Sequence, residues 1–143
     1  MIAQTPYDVE RALRSHTILI MDNEVRPTYE LESAFGERYS VLRGHGMTRC
    51  KELLLEQMPD VVILDLQTLG EEGTAAVREI RRIHPFIPLF VLTNSATEEM
   101  IQCAMKIGAD TVVTKPYQVE ALQHLVGLSC LLADISAFRG EMR

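Results

Sequence analysis

Each of four polar residues in this sequence closely follows a short apolar run: Asp22, Asp65, Thr93 and Lys115. Two neighbouring carboxylates repel each other unless a cation lies between them, and hard oxygen ligands suit Mg²⁺, which also accepts phosphate oxygens. A hydroxyl and an ammonium group stabilise a tetrahedral dianion, since Thr93 can donate a hydrogen bond and Lys115 supplies a point charge. These residue types together indicate a phosphorylated carboxylate with its stabilising groups.

Each of the four residues also has a simpler interpretation. Asp22 and Asp65 could be turn aspartates whose carboxylates bond to their own backbone. Thr93 could cap a helix, although Ser95 fits a capping-box pattern better. Lys115 could be a solvated surface charge. We favour the site because all four residues are expected at one edge of a sheet.

Strand and helix patterns alternate along the chain, and this alternation explains how the four residues could meet. Residues 61–64 are too few for a helix and apolar on both faces, which is typical of a parallel sheet covered by helices. Open α/β sheets place ligands and reactive groups at the carboxyl ends of their strands. We predict strands at 18–21, 39–42, 61–64, 87–92 and 111–114, and helices at 26–35, 48–58, 74–83, from a Ser95 cap to 107, and from 119 onward. Gly44 and Gly46 predict a loop after the second strand.

Composition limits the class of protein and its partners. A chain of 143 residues is long enough for one domain and too short for two ordinary ones. Its 14 Lys and Arg against 20 Asp and Glu give a net charge of −6, so we expect no nucleic-acid binding by this domain. Three scattered cysteines indicate reduced thiols in a cytoplasmic protein. No apolar segment reaches transmembrane length, so we expect no membrane partner.

The motifs around the four polar residues resemble the receiver domain of two-component response regulators. They are ILIMDNE, VVILDLQTLGEEG, PLFVLTNSA and GADTVVTKPY, in that order within residues 17–128. The resemblance implies an α/β fold of the flavodoxin-like type, with a five-stranded parallel sheet of order 2-1-3-4-5 and helices on both faces. It also implies a cis peptide bond between Lys115 and Pro116.

The resemblance assigns a role to each residue. Asp65 matches the phosphoacceptor and a metal ligand, Thr93 the phosphate-sensing hydroxyl, and Lys115 the partner of the phosphoryl group. Asp22 matches an acid that holds Mg²⁺ through water, and the backbone of Gln67 matches a further metal ligand. The implied function is that of a phosphoprotein in phosphorelay signal transduction. A sensor histidine kinase or phosphotransfer protein would phosphorylate Asp65, and the domain would then switch a protein-interaction face.

Four positions depart from the family pattern. Asn23 stands where the family usually has a second acid that binds Mg²⁺ directly, so we expect weakened metal binding, which Glu24 could partly restore. Leu69 replaces the usual proline of the acceptor loop, a change expected to alter loop stiffness alone. Asn94 replaces a small residue and could narrow the approach to Asp65. Val112 replaces an aromatic side chain that normally swings inward on activation.

Two other functions compete with a signalling phosphoacceptor. The first is a pseudo-receiver, with the same fold acting as a protein-interaction module that is not phosphorylated. The second is an enzyme, because the DNE and DLQT segments resemble the nucleophile loop of haloacid-dehalogenase-like phosphatases. Gln67 lacks the acid function of that loop, and no further acidic pair follows Lys115, so we do not expect an enzyme.

The chain divides by pattern into three parts. Residues 1–16 form a leader or short helix, 17–128 the receiver domain, and 129–143 an extension of the last helix. An apolar stripe at three- and four-residue steps runs from the end of the receiver domain into this extension, which predicts a partner helix and hence a homodimer: Leu128, Leu131, Ile135 and Phe138. The stripe is equally consistent with a helix that folds back or frays, and the extension could lead to an output domain.

Overall fold

The computed structural model describes the backbone of residues 16–22 and 29–141. In these residues strands and helices alternate along the chain. The strands are β1 (Thr17–Asp22), β2 (Ser40–His45), β3 (Val61–Thr68), β4 (Leu89–Ser95) and β5 (Thr111–Thr114). The helices are α1 (Tyr29–Gly36), α2 (Gly46–Gln57), α3 (Glu71–Ile83), α4 (Glu98–Lys106) and α5 (Val119–Glu141).

All neighbouring strands pair in parallel, in the order β2-β1-β3-β4-β5. This confirms the predicted order. The register aligns the ends of the strands, because Asp22 pairs with His45 on one side and with Asp65 on the other. Thr93 of β4 pairs with Leu66 of β3, one residue beyond Asp65. The carboxyl ends of β1, β3 and β4 therefore meet at one edge of the sheet.

Both faces of the sheet are buried, as expected from strands without polar alternation. On one face the strands pack against α2, α3 and α4, with Leu54, Val77 and Ala104 in the same apolar cluster. On the other face they pack against α1 and α5, through Phe35 and Val126 among others. The sheet is thus a rigid support for whatever lies at its edge.

The predicted loop at Gly44 and Gly46 was wrong. β2 continues through Gly44 to His45 because it pairs with β1 along the whole of Thr17–Asp22. Gly46 is already the first residue of α2, and its φ of 81° is a conformation that glycine adopts without strain. The chain therefore turns from strand to helix without a connecting loop, and β2 extends three residues beyond its predicted end, through Arg43, Gly44 and His45.

The helix ends also differ from prediction. Ser95 does not cap α4, because it is the last residue of β4 and pairs with Thr68. The Thr97 hydroxyl caps the helix instead, accepting a hydrogen bond from the backbone N–H of Met100 at 3.2 Å. Helix α3 begins at Glu71, three residues before the predicted start. The predicted first turn of α1, at 26–28, lies outside the described residues.

Helix α5 is continuous over 23 residues, which corresponds to a length of about 34 Å. Its first half covers the sheet, with Leu122, Val126 and Cys130 buried. Beyond this part, Leu131 and Leu132 are exposed. The backbone of 129–141 therefore continues the helix, as the sequence predicts.

Candidate functional site

Two carboxylates are buried side by side at the carboxyl edge of the sheet. Asp22 is 2% exposed and Asp65 is 0% exposed, and they occupy paired positions on adjacent parallel strands. Alternation along β1 puts Asp22 on the same side as Ile18 and Ile20, which pack towards α1 and α5. Such burial is costly for a carboxylate unless it has charged or hydrogen-bonding partners.

Lys115 is the partner of Asp65. Its Nζ lies 2.6 Å from Asp65 Oδ1, and its side chain is 21% exposed. The backbone holds it there, because the Lys115 N–H donates to the Thr93 carbonyl at 2.8 Å. The Lys115–Pro116 peptide bond is cis, as predicted. The lysine thus reaches from the solvent side to a fully buried carboxylate.

The Thr93 side chain is buried beside these residues and is bonded to the neighbouring backbone. Its hydroxyl lies 3.0 Å from the Ser95 carbonyl and 3.3 Å from the Gln67 carbonyl, to either of which it can donate. It also accepts from the Ser95 N–H at 3.3 Å. Thr93 therefore joins the ends of β3 and β4, and its hydroxyl would have to leave these bonds to contact a phosphoryl group.

The Tyr117 phenol interacts electrostatically with the Asp65 carboxylate. Burial raises the pKa of the Tyr117 phenol above its ordinary value of 10.0, and the negative charges of Asp65 and Glu30 raise it further. The phenol is therefore neutral at physiological pH and can act as a hydrogen-bond donor. Sequence reasoning missed this residue, which directly follows Lys115-Pro116 in the motif GADTVVTKPY.

Asp22 has two basic partners that sequence reasoning missed. Both lie on β2: Arg43 donates from Nε and Nη2 to Asp22 Oδ2, at 3.0 and 2.9 Å. His45 Nδ1 lies 3.0 Å from the other oxygen, Oδ1. Arg43 also donates from Nη1 to Glu32 of α1 at 3.1 Å. Both oxygens of Asp22 thus have a basic partner.

Arg43 and His45 escaped prediction because the second strand was expected to end at residue 42. One signal was available, since residues 41, 43 and 45 alternate along β2 and share one face of a strand. Parallel pairing with β1 brings that face beside Asp22. The pairing register needed for this step is not visible in the sequence of β2 alone.

The described donors do not fit a divalent cation in this arrangement. Mg²⁺ prefers several oxygen ligands with open positions for water, whereas both Asp22 oxygens are taken by Arg43 and His45. The Gln67 carbonyl faces the Thr93 hydroxyl. Among residues 16–22 and 29–141 no three His, Cys, Asp or Glu side chains form a metal-binding group. Asn23 and Glu24, the other candidate ligands, lie outside the described residues.

The acceptor loop packs more tightly than its sequence suggests. Leu69 is 0% exposed and belongs to the core beneath α2, α3 and α4, so its replacement of proline changes packing as well as stiffness. A Cβ on Gly73 would lie 2.8 Å from Leu66 Cδ1 and 2.9 Å from Leu69 Cδ1. The missing side chain at Gly73 lets the first turn of α3 close against the loop.

Asn94 and Val112 are two other departures from the family pattern. Asn94 is exposed directly after Thr93. Val112 is partly buried and packs against the cluster under α2, α3 and α4, so it fills a packing position rather than swinging as an aromatic ring would. The ion pair between Lys115 and Asp65 forms with both of these residues present.

Residues 18–127 match the family model of the response regulator receiver domain. A curated relative, the transcriptional regulatory protein KdpE of Staphylococcus aureus (strain NCTC 8325 / PS 47), is 31% identical over 107 residues. The match covers 74% of this chain and 46% of KdpE, so the chain spans about half the length of that relative.

Solved structures share the fold at low identity. A CheY-like response regulator receiver domain protein from Methanospirillum hungatei JF-1 superposes with a TM-score of 0.74 at 18% identity, covering 85% of this chain and 98% of its own. A putative response regulator from Chloroflexus aurantiacus J-10-fl gives 0.69 at 24% identity, covering 81% and 98%. In the part of the chain that the structure describes, no helix is both long and apolar enough to span a membrane.

Proposed function

Because the chain belongs to the response regulator receiver domain family, we propose that it accepts a phosphoryl group on Asp65. The observation that carries this proposal is the 2.6 Å contact between Lys115 Nζ and Asp65 Oδ1. A carboxylate beside an ammonium group can attack phosphorus while the ammonium compensates the charge of the incoming phosphoryl oxygens.

The proposed step is a displacement at phosphorus. A carboxylate oxygen of Asp65 forms a bond to phosphorus as the bond between phosphorus and the donor's nitrogen or oxygen breaks, and the leaving group keeps the electron pair and takes up a proton. Lys115 then holds the phosphoryl oxygens. Thr93 follows by exchanging its bonds to the Ser95 and Gln67 carbonyls for one to the phosphoryl group, which pulls on the ends of β3 and β4.

We also propose that Mg²⁺ binds weakly to this pocket. Asn23 removes one acid, and the bonds of Asp22 to Arg43 and His45 must open before its oxygens can face a metal. A bound dication would supply charge neutralisation near the acceptor. Asp22, Asp65 and the Gln67 carbonyl would be its ligands, with Asn23 or Glu24 as further candidates.

The proposed phosphodonor is a sensor histidine kinase or a phosphotransfer protein in the cytoplasm. The proposed output is a changed protein-interaction face built from α4, β5 and α5, because the Thr93 backbone is bonded to Lys115 and the Thr93 side chain to the end of β4. An exposed apolar face on α5 is proposed to mediate a homodimer, since Leu131 and Leu132 are 54% and 63% exposed.

Incubation with phosphoramidate or acetyl phosphate in millimolar Mg²⁺, followed by intact-mass measurement, tests the proposal. We expect one added phosphoryl group on the wild-type chain and none on Asp65→Asn. Asp60→Asn is a suitable control, because Asp60 lies at the opposite end of β3, where it accepts a hydrogen bond from the Thr17 N–H. A wild-type chain that acquires no adduct would refute the proposal.

One set of observations favours the alternative, a pseudo-receiver that binds partners without phosphorylation. Asp65 has no exposed surface, and Asp22 is neutralised by residues of its own chain. On this alternative the intact mass stays unchanged at all donor concentrations, and Asp65→Asn leaves partner binding unaffected.

A further inference from the structure

Arg43 bridges two acidic side chains at the edge of the sheet. Its guanidinium donates twice to Asp22 Oδ2 and once to Glu32 Oε2, with distances of 2.9 to 3.1 Å. The Arg43 side chain is 18% exposed and that of Asp22 is 3% exposed. Because this ion pair is largely shielded from solvent, water and salt screen it less than they screen an ion pair on the surface.

The guanidinium is a permanent cation, since arginine does not deprotonate in proteins. Asp22 thus has a full positive charge beside it, and Asp65 has another from Lys115. Arg43 and Lys115 each place a positive charge beside one of the two buried carboxylates, and Arg43 shares its charge with Glu32. A divalent cation entering between them would have to compete with charges that are already in place, and it would find Oδ1 of Asp22 in contact with His45.

We propose that Arg43 is an internal competitor of the divalent cation and limits metal binding at Asp22. Glu32 of α1 positions Arg43 for this role, because its carboxylate accepts a hydrogen bond from Arg43 Nη1. Two features would then weaken metal binding. One is Arg43 on β2, and the other is Asn23, which replaces an acidic ligand. The consequence of the competition for signalling rests on the proposed function, but the competition itself does not require phosphorylation.

Metal binding to the purified chain tests this proposal directly. Mn²⁺, which shares the oxygen preference of Mg²⁺, is titrated into the protein while electron paramagnetic resonance counts the free ion, and Mg²⁺ is added to compete. Arg43→Gln removes the charge and keeps a polar side chain of similar reach. Because the repulsion between the guanidinium and the dication is removed, we expect it to bind Mn²⁺ about 10- to 100-fold more tightly than the wild type.

Three variants control this result. Arg49→Gln removes an exposed arginine of α2 that pairs with Glu52, and it should leave metal affinity unchanged. Adding Asp22→Asn to Arg43→Gln should abolish the gain. Arg43→Lys keeps the charge but cannot make both bonds to Oδ2, so it should give an intermediate gain, and it replaces Arg43→Gln if that variant does not fold.

Asn23→Asp separates this inference from the explanation available in the sequence. If Asn23 alone limits binding, Asn23→Asp gives tight binding and Arg43→Gln adds nothing, which would overturn the role of Arg43. If Arg43 competes, Arg43→Gln strengthens binding in both backgrounds. A chain that gains metal affinity in Arg43→Gln yet never acquires a phosphoryl group would refute the proposed function and leave this inference standing.

Discussion

The Thr93 hydroxyl is positioned by bonds that it must give up in order to act. It lies within hydrogen-bond distance of the Ser95 and Gln67 carbonyls and accepts from the Ser95 N–H. These bonds fix the side chain in one orientation before any phosphoryl group arrives. The same hydroxyl therefore contributes to stability in the resting state and would carry the conformational response in the phosphorylated state.

Replacing Thr93 by valine should separate these two contributions. Thr93→Val removes the hydrogen bonds that link the Thr93 hydroxyl to Ser95 and Gln67, so we expect the free energy of unfolding to fall by about 0.5 to 1.5 kcal/mol. The phosphoryl adduct on Asp65 should still form, while the accompanying NMR shift changes in α4 and β5 become smaller. Thr114→Val, at an exposed position, should change stability by less than about 0.5 kcal/mol. Undiminished shift changes in Thr93→Val would contradict the role of the hydroxyl.

At the scale of single residues, the sequence indicates where a polar side chain follows the apolar run of its own strand: Asp22 ends β1, and β3 and β4 continue past Asp65 and Thr93 to Thr68 and Ser95. Asp22, Asp65 and Thr93 could be located because each follows an apolar run. Arg43 and His45 could not, since their significance comes from the register of β2 against β1. Contacts between residues of adjacent strands depend on pairing, which local patterns do not encode.

At the scale of secondary-structure elements, the close packing of α3 on the acceptor loop makes a specific demand on Gly73. Because Gly73 has no side chain, the backbone of α3 can approach Leu66 and Leu69 closely. Both leucines are buried, so they have little freedom to move away.

Gly73→Ala should therefore destabilise the chain by about 1 to 3 kcal/mol through overpacking. Gly36→Ala provides the matched control, because Gly36 ends α1 and a Cβ there meets no atom within 4 Å. We expect this control to be neutral or slightly stabilising. Urea unfolding of both variants measures the difference, and equal stabilities for the two would show that the loop yields more easily than the distances suggest.

The outer face of α5 leads to a prediction about assembly. Leu128 is 43% exposed and Leu132 63%, and both lie on a helix that continues to Glu141. If this face pairs with a second copy, sedimentation equilibrium should detect a dimer, and Leu132→Glu should shift it to monomer. Leu55→Glu changes a leucine that is 67% exposed on α2, which packs on the other face of the sheet, and it should leave the dimer intact. A wild-type chain that remains monomeric at high concentration would contradict the prediction.

Element types were predictable and some element ends were not. The buried runs and helical periodicity identified the alternation of strands and helices, because both faces of a covered parallel sheet must be apolar. The predicted end of β2 was wrong, because pairing with β1 extends the strand to His45. The predicted cap of α4 was wrong, because pairing with Thr68 keeps Ser95 in β4. In both places tertiary pairing extended a strand past the point at which the local signal ends.

At the scale of the whole molecule, the buried thiols should make the free energy of unfolding depend on pH in the alkaline range. Burial raises the pKa of the Cys50 and Cys130 thiols from 9.0 to about 11, and for Cys130 the charges of Asp60 and Asp134 add to the effect. Below pH 9 both the folded and the unfolded chain keep these protons. Between about pH 9 and 11 the unfolded chain loses them first, so the free energy of unfolding should decrease as pH rises.

Urea unfolding at a series of pH values measures this decrease. Cys130→Ser removes one of the two thiols and should flatten the slope, whereas Cys103→Ser should leave it unchanged because Cys103 is exposed. Stability that is constant or rises from pH 9 to 11 would contradict the assignment of buried, neutral thiols.

The overall architecture could be predicted because the resemblance extends across most of the chain and the family model matches 18–127. The electrostatic state of the pocket could not. It depends on which cation lies against each carboxylate, and in this molecule those cations are Lys115 for Asp65 and Arg43 for Asp22. Only the second of these pairings required knowledge of three-dimensional contacts absent from the motifs.

The most direct test of the account is the position of the phosphoryl group after incubation with phosphoramidate, determined by tandem mass spectrometry of rapidly digested protein. Phosphoramidate can also modify histidines, and His45 lies beside the pocket, in contact with Asp22. We expect the modification to map to Asp65, within the peptide that contains it, and to be lost in Asp65→Asn. Modification of His45 in place of Asp65, or an unmodified Asp65 peptide at full donor concentration, would contradict it.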